Sequence, residues 1–171
     1  MGFTPPADGA RVLLVGGGIG VPPLLFLGRD LLRAGGRHEL LVGARTAARH
    51  LPERLLVPAA ARLRLATDDG SVGRHGPVTE LLADSLAATP TAMVCACGPE
   101  PMLAAVAALC RRLEIPCQVS LEAYMACGIG ICVGCAVEVV ALPGASPYER
   151  YRRVCVDGPV FDARRVRWEC A

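Results

Sequence analysis

Three cysteines within residues 127–135 limit what the C-terminal part of this chain can become. Cys127 and Cys132 are separated by four residues, and Cys132 and Cys135 by two. This C-x4-C-x2-C spacing, with a distant fourth cysteine, is the pattern that holds a plant-type 2Fe–2S cluster. Such a cluster takes three thiolates from one tight loop whose N–H groups turn inward toward sulfur. Gly128, Gly130 and Gly134 let a loop fold back in that way. Structural zinc favours two C-x2-C pairs, and only one is present. The fourth ligand is Cys155 or Cys170. Cys170 is the penultimate residue, where chains fray, whereas Cys155 lies in the β-like run Arg153-Val154-Cys155-Val156-Asp157-Gly158, so Cys155 is the choice.

The other cysteines argue about compartment. Nine cysteines is an odd count, and the first ten residues lack the basic and apolar regions of an export signal. A secreted disulfide framework therefore fits poorly, and a reducing cytoplasm fits well. Cys95, Cys110 and Cys117 fall on apolar faces and are expected as core thiols. His38, His50 and His75 are isolated and expected at the surface or in turns rather than as ligands.

Upstream of the cysteine loop, short apolar runs alternate with helical patterns. Strands are expected at residues 11–15, 39–43, 63–66, 92–96 and 118–121. Helices are expected at 22–34, closed by Gly35-Gly36, and at 78–88 and 99–113, with a weak helix interrupted by Pro52 at 47–57. Continuous apolar strands between helices predict a five-stranded parallel, doubly wound α/β sheet covered on both faces. After Glu122 glycines and cysteines crowd together. Residues 136–142 then alternate like an antiparallel strand, residues 143–147 make a loop, and 153–156 return as the partner strand. The expected organisation is a dinucleotide-binding domain at 1–121 and a small cysteine-rich lobe with short antiparallel strands at 122–171.

Composition removes several function classes. Apolar residues make up 53% of the chain, which raises the question of a membrane span. The longest uncharged run, residues 12–28, is broken by Gly16-Gly17-Gly18-Ile19-Gly20 and Pro22-Pro23, so no spanning helix is expected. All 18 basic residues are arginine, against 16 acidic ones, for a net charge of +2. Without lysine there is no Schiff base to pyridoxal phosphate and no Gly-Lys-Ser phosphate loop. The arginines are scattered without interleaved aromatics, so neither a nucleic-acid nor a membrane partner is expected.

Two further motifs carry chemistry. Gly17, Gly18 and Gly20 lie between the first strand and the first helix, where backbone can approach a pyrophosphate at a helix N-terminus. Pro23 replaces the third glycine of the usual fingerprint, and a proline in a first helical turn is well tolerated. Cys97-Gly98-Pro99-Glu100-Pro101-Met102 ends the fourth strand, at the carboxyl edge where open parallel sheets bind ligands.

Taken together, these stretches resemble a family. The run from Ser120 to Cys135, the run Arg153-Val154-Cys155-Val156-Asp157-Gly158-Pro159-Val160-Phe161, and the segments LLVGGGIGVPPL, ATDDGS, GPVTELL and CGPEPML closely resemble the electron-transfer subunit of the two-subunit, NAD-linked dihydroorotate dehydrogenase, within the ferredoxin reductase superfamily. The resemblance covers nearly the whole chain, and its cysteine segment is the most specific part. It implies three cofactors (a 2Fe–2S cluster, FAD and NAD) and an FMN-containing catalytic subunit as hetero-oligomeric partner. It implies a nicotinamide site with Cys97 as the catalytic cysteine and Gly98, Pro99 and Glu100 beside it, and with Gly17, Gly18 and Gly20 on the pyrophosphate. Asp68 and Asp69, following the third strand, would repel a 2′-phosphate and favour NAD, while Arg45 would favour NADP. Family members carry an N-terminal β-barrel for FAD. This chain starts at Gly2-Phe3, similar to the tail of the segment leaving that barrel, so FAD is expected to be held mainly by a barrel these residues do not include. The segment between Cys135 and Cys155 is longer than the family's, with a hairpin insertion at 143–147, which leaves Cys170 open as the alternative fourth ligand. A related reductase module for a hydrogenase or sulfur reductase is the alternative activity. A zinc-stabilised binding module is the non-enzymatic one.

Overall fold

The strand Val12–Gly17 (β1) is apolar along its whole length and buried on both faces. That is the signature of a central strand in a covered parallel sheet. In the computed structural model, which describes residues 2–6, 9–141, 144 and 146–168, it has a parallel neighbour on each side. His38–Ala44 (β2) lies on one side, with Leu63–Thr67 (β3) and the two-residue strand Arg74–His75 (β4) beyond it. Met93–Cys97 (β5) lies on the other, followed by Cys117–Ser120 (β6). The five expected parallel strands are thus present. Among the described residues the sheet runs β4-β3-β2-β1-β5-β6 and ends in Val160–Asp162 (β9), which comes back from the cysteine lobe and pairs antiparallel with β6.

Strand alternation sorts the core into two layers. Val12, Leu14, Leu40, Val42 and Cys95 face the helix Val21–Arg33 (α1) and the short helix Glu53–Leu56 (α2). Leu13, Val15, Leu41, Val94 and Ala96 face Val78–Ala88 (α3) and Glu100–Arg112 (α4). Each fully buried Leu or Val contributes about 1.5–3 kcal/mol relative to exposure. α1 ends as its sequence predicts: Gly35 follows in the left-handed region, and the Gly36 N–H returns to Leu31 O at 2.8 Å. Cys135, Val154 and Ala163 of the lobe pack into the α3/α4 layer. Among the described residues no helix is long and apolar enough to cross a membrane.

Two expectations are corrected. The partner strand expected at 153–156 is Tyr151–Arg153 (β8), paired antiparallel with Ala136–Glu138 (β7). Val154–Asp157 (α5) winds into one helical turn instead. The Asp157 carboxylate accepts the Arg153 N–H at 2.7 Å, and the Val154 N–H goes to Cys135 O at 3.0 Å, so the ladder stops at Arg153. His38 is buried rather than at the surface. Its Nε2 lies 2.8 Å from Ala59 O, and burial pushes its pKa below the ordinary imidazole value. His75 is exposed, as expected, and His50 is half-buried with Nε2 3.1 Å from Ala66 O.

Candidate functional site

The strand order reverses at β1, between β2 and β5, and a cleft opens at the carboxyl edge there, as in other open α/β sheets. It encloses about 620 Å3 and is lined by Gly17, Gly18, Arg45, Arg49, Asp68 and Pro99 among others. Gly20 lies beneath it, where the turn crosses the end of β5. A Cβ on Gly20 would sit 2.2 Å from Cys97 O and 2.4 Å from Gly98 N, so only glycine lets the two segments meet. α1 then starts with Pro22 and Pro23 in its first turn, which carry no N–H, and the Val21 N–H is bonded to Gly18 O, so the turn offers glycine backbone rather than a row of free helix donors.

The acidic pair after β3 divides. Asp68 lines the cleft, while the Asp69 carboxylate is bound by the Ser71 hydroxyl and the Ser71 N–H, which hold its pKa below the usual carboxylate range. Asp69 closes the turn through Ser71. Arg49 faces the cleft beside Arg45 and was not singled out from the sequence. Its signal was there, since it follows Arg45 by one short turn past the carboxyl end of β2.

The Cys97–Met102 motif borders two cavities. Pro99, Pro101 and Met102 face the nucleotide cleft. Gly98 and Glu100 face a second cavity of about 620 Å3, lined also by Leu121 and, from the lobe, by Glu122, Tyr151 and Trp168. The Cys97 side chain lines neither. It is buried in the α1 layer, and burial pushes its thiol up despite a hydrogen bond with the Ser120 hydroxyl.

The cysteine loop is shaped by backbone that few residues adopt. Gly128, Gly130 and Val133 all have φ between +59° and +84°. A Cβ on Gly130 would lie 2.5 Å from Val156 Cγ2, so the loop can press against α5 only with glycine there. The turns aim N–H groups at sulfur. The Cys132 N–H points at Cys127 Sγ at 3.5 Å, and the Gly134 N–H at Cys132 Sγ at 3.4 Å. Hydrogen bonds from the Cys132 and Ile129 N–H groups draw the Cys127 thiol down to about 6. Cys135 and Cys155 come together from β7 and α5, with their sulfurs 3.2 Å apart in one hydrogen bond. The Cys155 N–H, bonded to the Cys135 sulfur, draws the Cys135 thiol down, while the neighbouring Cys135 pushes Cys155 up.

The thiols therefore gather two and two, Cys127 with Cys132 and Cys135 with Cys155. Among the described residues no three His, Cys, Asp or Glu side chains are arranged to hold one metal ion. Paired thiolates under directed N–H groups fit a two-iron centre that takes two sulfurs per iron. Cys95, Cys110 and Cys117 are buried in the sheet layers, away from the loop. Cys170 lies outside the described residues.

Residues 122–167 match the family described as the iron–sulfur cluster binding domain of dihydroorotate dehydrogenase B. The chain as a whole is similar to electron-transfer subunits of NAD-dependent dihydroorotate dehydrogenase B. It is 36% identical over 168 residues to the one from Desulforamulus reducens, covering 98% of this chain and 63% of that protein. It is 43% identical to the one from Geobacillus kaustophilus, covering 94% and 58%. The chain thus spans about three fifths of the length of these curated relatives. Among solved structures, NADH-dependent reduced ferredoxin-NADP oxidoreductase superposes with a TM-score of 0.80 at 30% identity, covering 93% of this chain and 54% of that one. The matched residues contain both thiol pairs, Cys127 with Cys132 and Cys135 with Cys155.

Proposed function

We propose that the chain is the nicotinamide and iron–sulfur portion of an NAD-linked dihydroorotate dehydrogenase of the cytoplasm, acting in pyrimidine biosynthesis as an oxidoreductase subunit. Residues 1–121 form the dinucleotide domain and 122–171 the cluster lobe, which returns β9 to the domain's sheet edge. Bound at Cys127, Cys132, Cys135 and Cys155, a 2Fe–2S cluster would carry single electrons from an FMN-containing partner subunit toward FAD and NAD. The residues around it have three tasks. The loop N–H groups stabilise the thiolates, Gly17 and Gly18 let a pyrophosphate approach the N-terminus of α1, and Asp68 and Arg45 face the ribose end of the cleft. FAD would be held mainly by a β-barrel that these residues do not include. Tyr124, Ile129 and Ile131 stand exposed around the loop, an apolar rim suited to a docked subunit.

The observation that carries this reading is the two-and-two gathering of the loop thiols in a chain similar over nearly its whole length to such subunits. The test mixes the iron-loaded chain with the FMN-containing dihydroorotate dehydrogenase subunit of the same organism and adds dihydroorotate. Bleaching of the visible iron–sulfur absorbance is expected. A second reading, a reductase module serving another electron donor, is favoured by the likeness to the ferredoxin-NADP oxidoreductase. Bleaching by reduced ferredoxin but not by dihydroorotate would select it.

A further inference from the structure

Arg153 stands where β8 ends and α5 begins, across the ladder from Ala136 and therefore next to Cys135. Its backbone N–H and its side chain both engage the Asp157 carboxylate, at 2.7 Å from N and 3.9 Å from Nε. Its Nη1 reaches across the hairpin and donates to Gly130 O at 2.7 Å, in the middle of the Cys127–Cys132 loop. The fit at Gly130 is close: a Cβ there would approach Nη1 to 3.2 Å.

The peptide that accepts this hydrogen bond carries a second polar group. Its carbonyl belongs to Gly130 and its N–H to Ile131, and the next N–H along the loop, that of Cys132, points at the Cys127 sulfur at 3.5 Å. One amide inside the cysteine loop thus carries a guanidinium on its oxygen. A cation on the oxygen polarises the amide and makes its N–H a stronger donor. Arginine keeps that charge at every accessible pH. Asp157 offsets part of the charge felt at a distance, which leaves the directed hydrogen bond as the main lever.

We propose that Arg153 is a positioning residue for the cysteine-held iron–sulfur group: through Gly130 O it fixes and polarises the Gly130–Ile131 amide inside the Cys127–Cys132 loop and so favours the reduced, more negative form. This rests on the iron–sulfur reading above. The side chain acts from the residue that caps α5, the element that carries Cys155, so it ties the two thiol pairs to each other. A spacer role alone would need only bulk at this position; a charged donor fixed on a carbonyl does more.

The test is a redox titration followed by electron paramagnetic resonance on the full iron-loaded chain, with iron and sulfide measured per chain. Arg153→Met removes donor and charge, and its cluster should reduce about tenfold less readily, a fall of about 59 mV for a one-electron couple. Arg153→Lys keeps a charge and one donor but loses the rigid fork, and should fall between the two, about threefold from the unmodified chain. Equal midpoints in the unmodified, Lys and Met forms would overturn the proposal, whatever happened to iron content or thermal stability. If Arg153→Met takes up no iron, Arg153→Lys decides alone, and a midpoint equal to the unmodified chain's overturns the proposal. An unmodified chain that takes up no iron and sulfide overturns the iron–sulfur reading itself, and with it this inference.

Discussion

The sheet and the cysteine loop are built by opposite means. Val12, Leu13, Leu14 and Val15 are wholly buried, flanked by strands on both sides and by helices on both faces, and they need no ligand to stay there. Around the loop, Tyr124 is 98% exposed, Ile129 71% and Ile131 77%. Val133 holds φ of +59°, a conformation that is strained for a β-branched side chain by about 1–3 kcal/mol. What shapes the loop is a set of N–H groups aimed at sulfur, one guanidinium on Gly130 O, and Cys135 anchored in the core. One site is held by its own packing, and the other is expected to take much of its rigidity from its ligand. Proteins whose metal sites are absent from the unfolded chain couple binding to folding in this way.

The largest expected effect breaks the two regions apart. Replacing Cys127, Cys132, Cys135 or Cys155 by Ser should abolish iron uptake, while Cys110→Ser should leave it intact, as read by iron and sulfide per chain and by visible absorbance. Retained absorbance in Cys155→Ser would reject Cys155 as the fourth ligand. Stripping iron from the unmodified chain should lower amide protection across residues 122–157 by about a hundredfold or more and leave β1, β2 and β5 nearly unchanged. A uniform loss of protection would show that the sheet depends on the cluster as well.

The same contrast explains what the sequence made legible. α3 was expected at 78–88 and occurs there, and the five parallel strands fall within two residues of their expected positions, because period and continuous apolarity are local signals. The thiol spacing is local too. β9 was not foreseen: it is three residues long, and its partner β6 lies some forty residues earlier. The turn at α5 was read as strand because Val154, Cys155 and Val156 favour β structure, and only the Asp157 carboxylate on the Arg153 N–H shows why the chain turns. His38 carries no local mark of burial, since its partner is the Ala59 carbonyl contributed by a separate turn. The acidic pair looked equivalent in sequence, and only the Ser71 contacts separate Asp69 from Asp68.

Two glycine substitutions sharpen the comparison with smaller effects. Gly20→Ala would drive a methyl against Cys97 O in rigid backbone, and it should cost about 1–3 kcal/mol of global stability. For a chain of this length that lowers Tm by about 2–4 °C per kcal/mol. Gly130→Ala meets Val156 and a left-handed φ in the loop, and it should reduce iron content with little change in the Tm of the sheet. Calorimetry and iron assay on both variants check this. Equal Tm losses in the two would mean that the loop is part of the same cooperative unit as β1.

The smallest effect lies within the cleft and concerns which dinucleotide it takes. Arg45 and Arg49 line it together with Asp68, so the cations needed for a 2′-phosphate are already present and one carboxylate opposes them. Asp69 holds Ser71 through Oδ1 and, unlike Asp68, serves the turn. A carboxylate beside the ribose accepts hydrogen bonds from its hydroxyls and repels a phosphate in their place. The unmodified chain should therefore bind NADH more tightly than NADPH. Asp68→Ser removes the repulsion and leaves both arginines, so it should move the ratio of the two affinities toward NADPH by about tenfold, roughly 1.4 kcal/mol. Asp69→Ser should leave that ratio unchanged and loosen only the turn at residues 68–71. Fluorescence titration of the three proteins with each reduced nucleotide separates these outcomes. A shift in Asp69→Ser as large as that in Asp68→Ser would mean that the turn, and not the single carboxylate facing the cleft, selects the ligand.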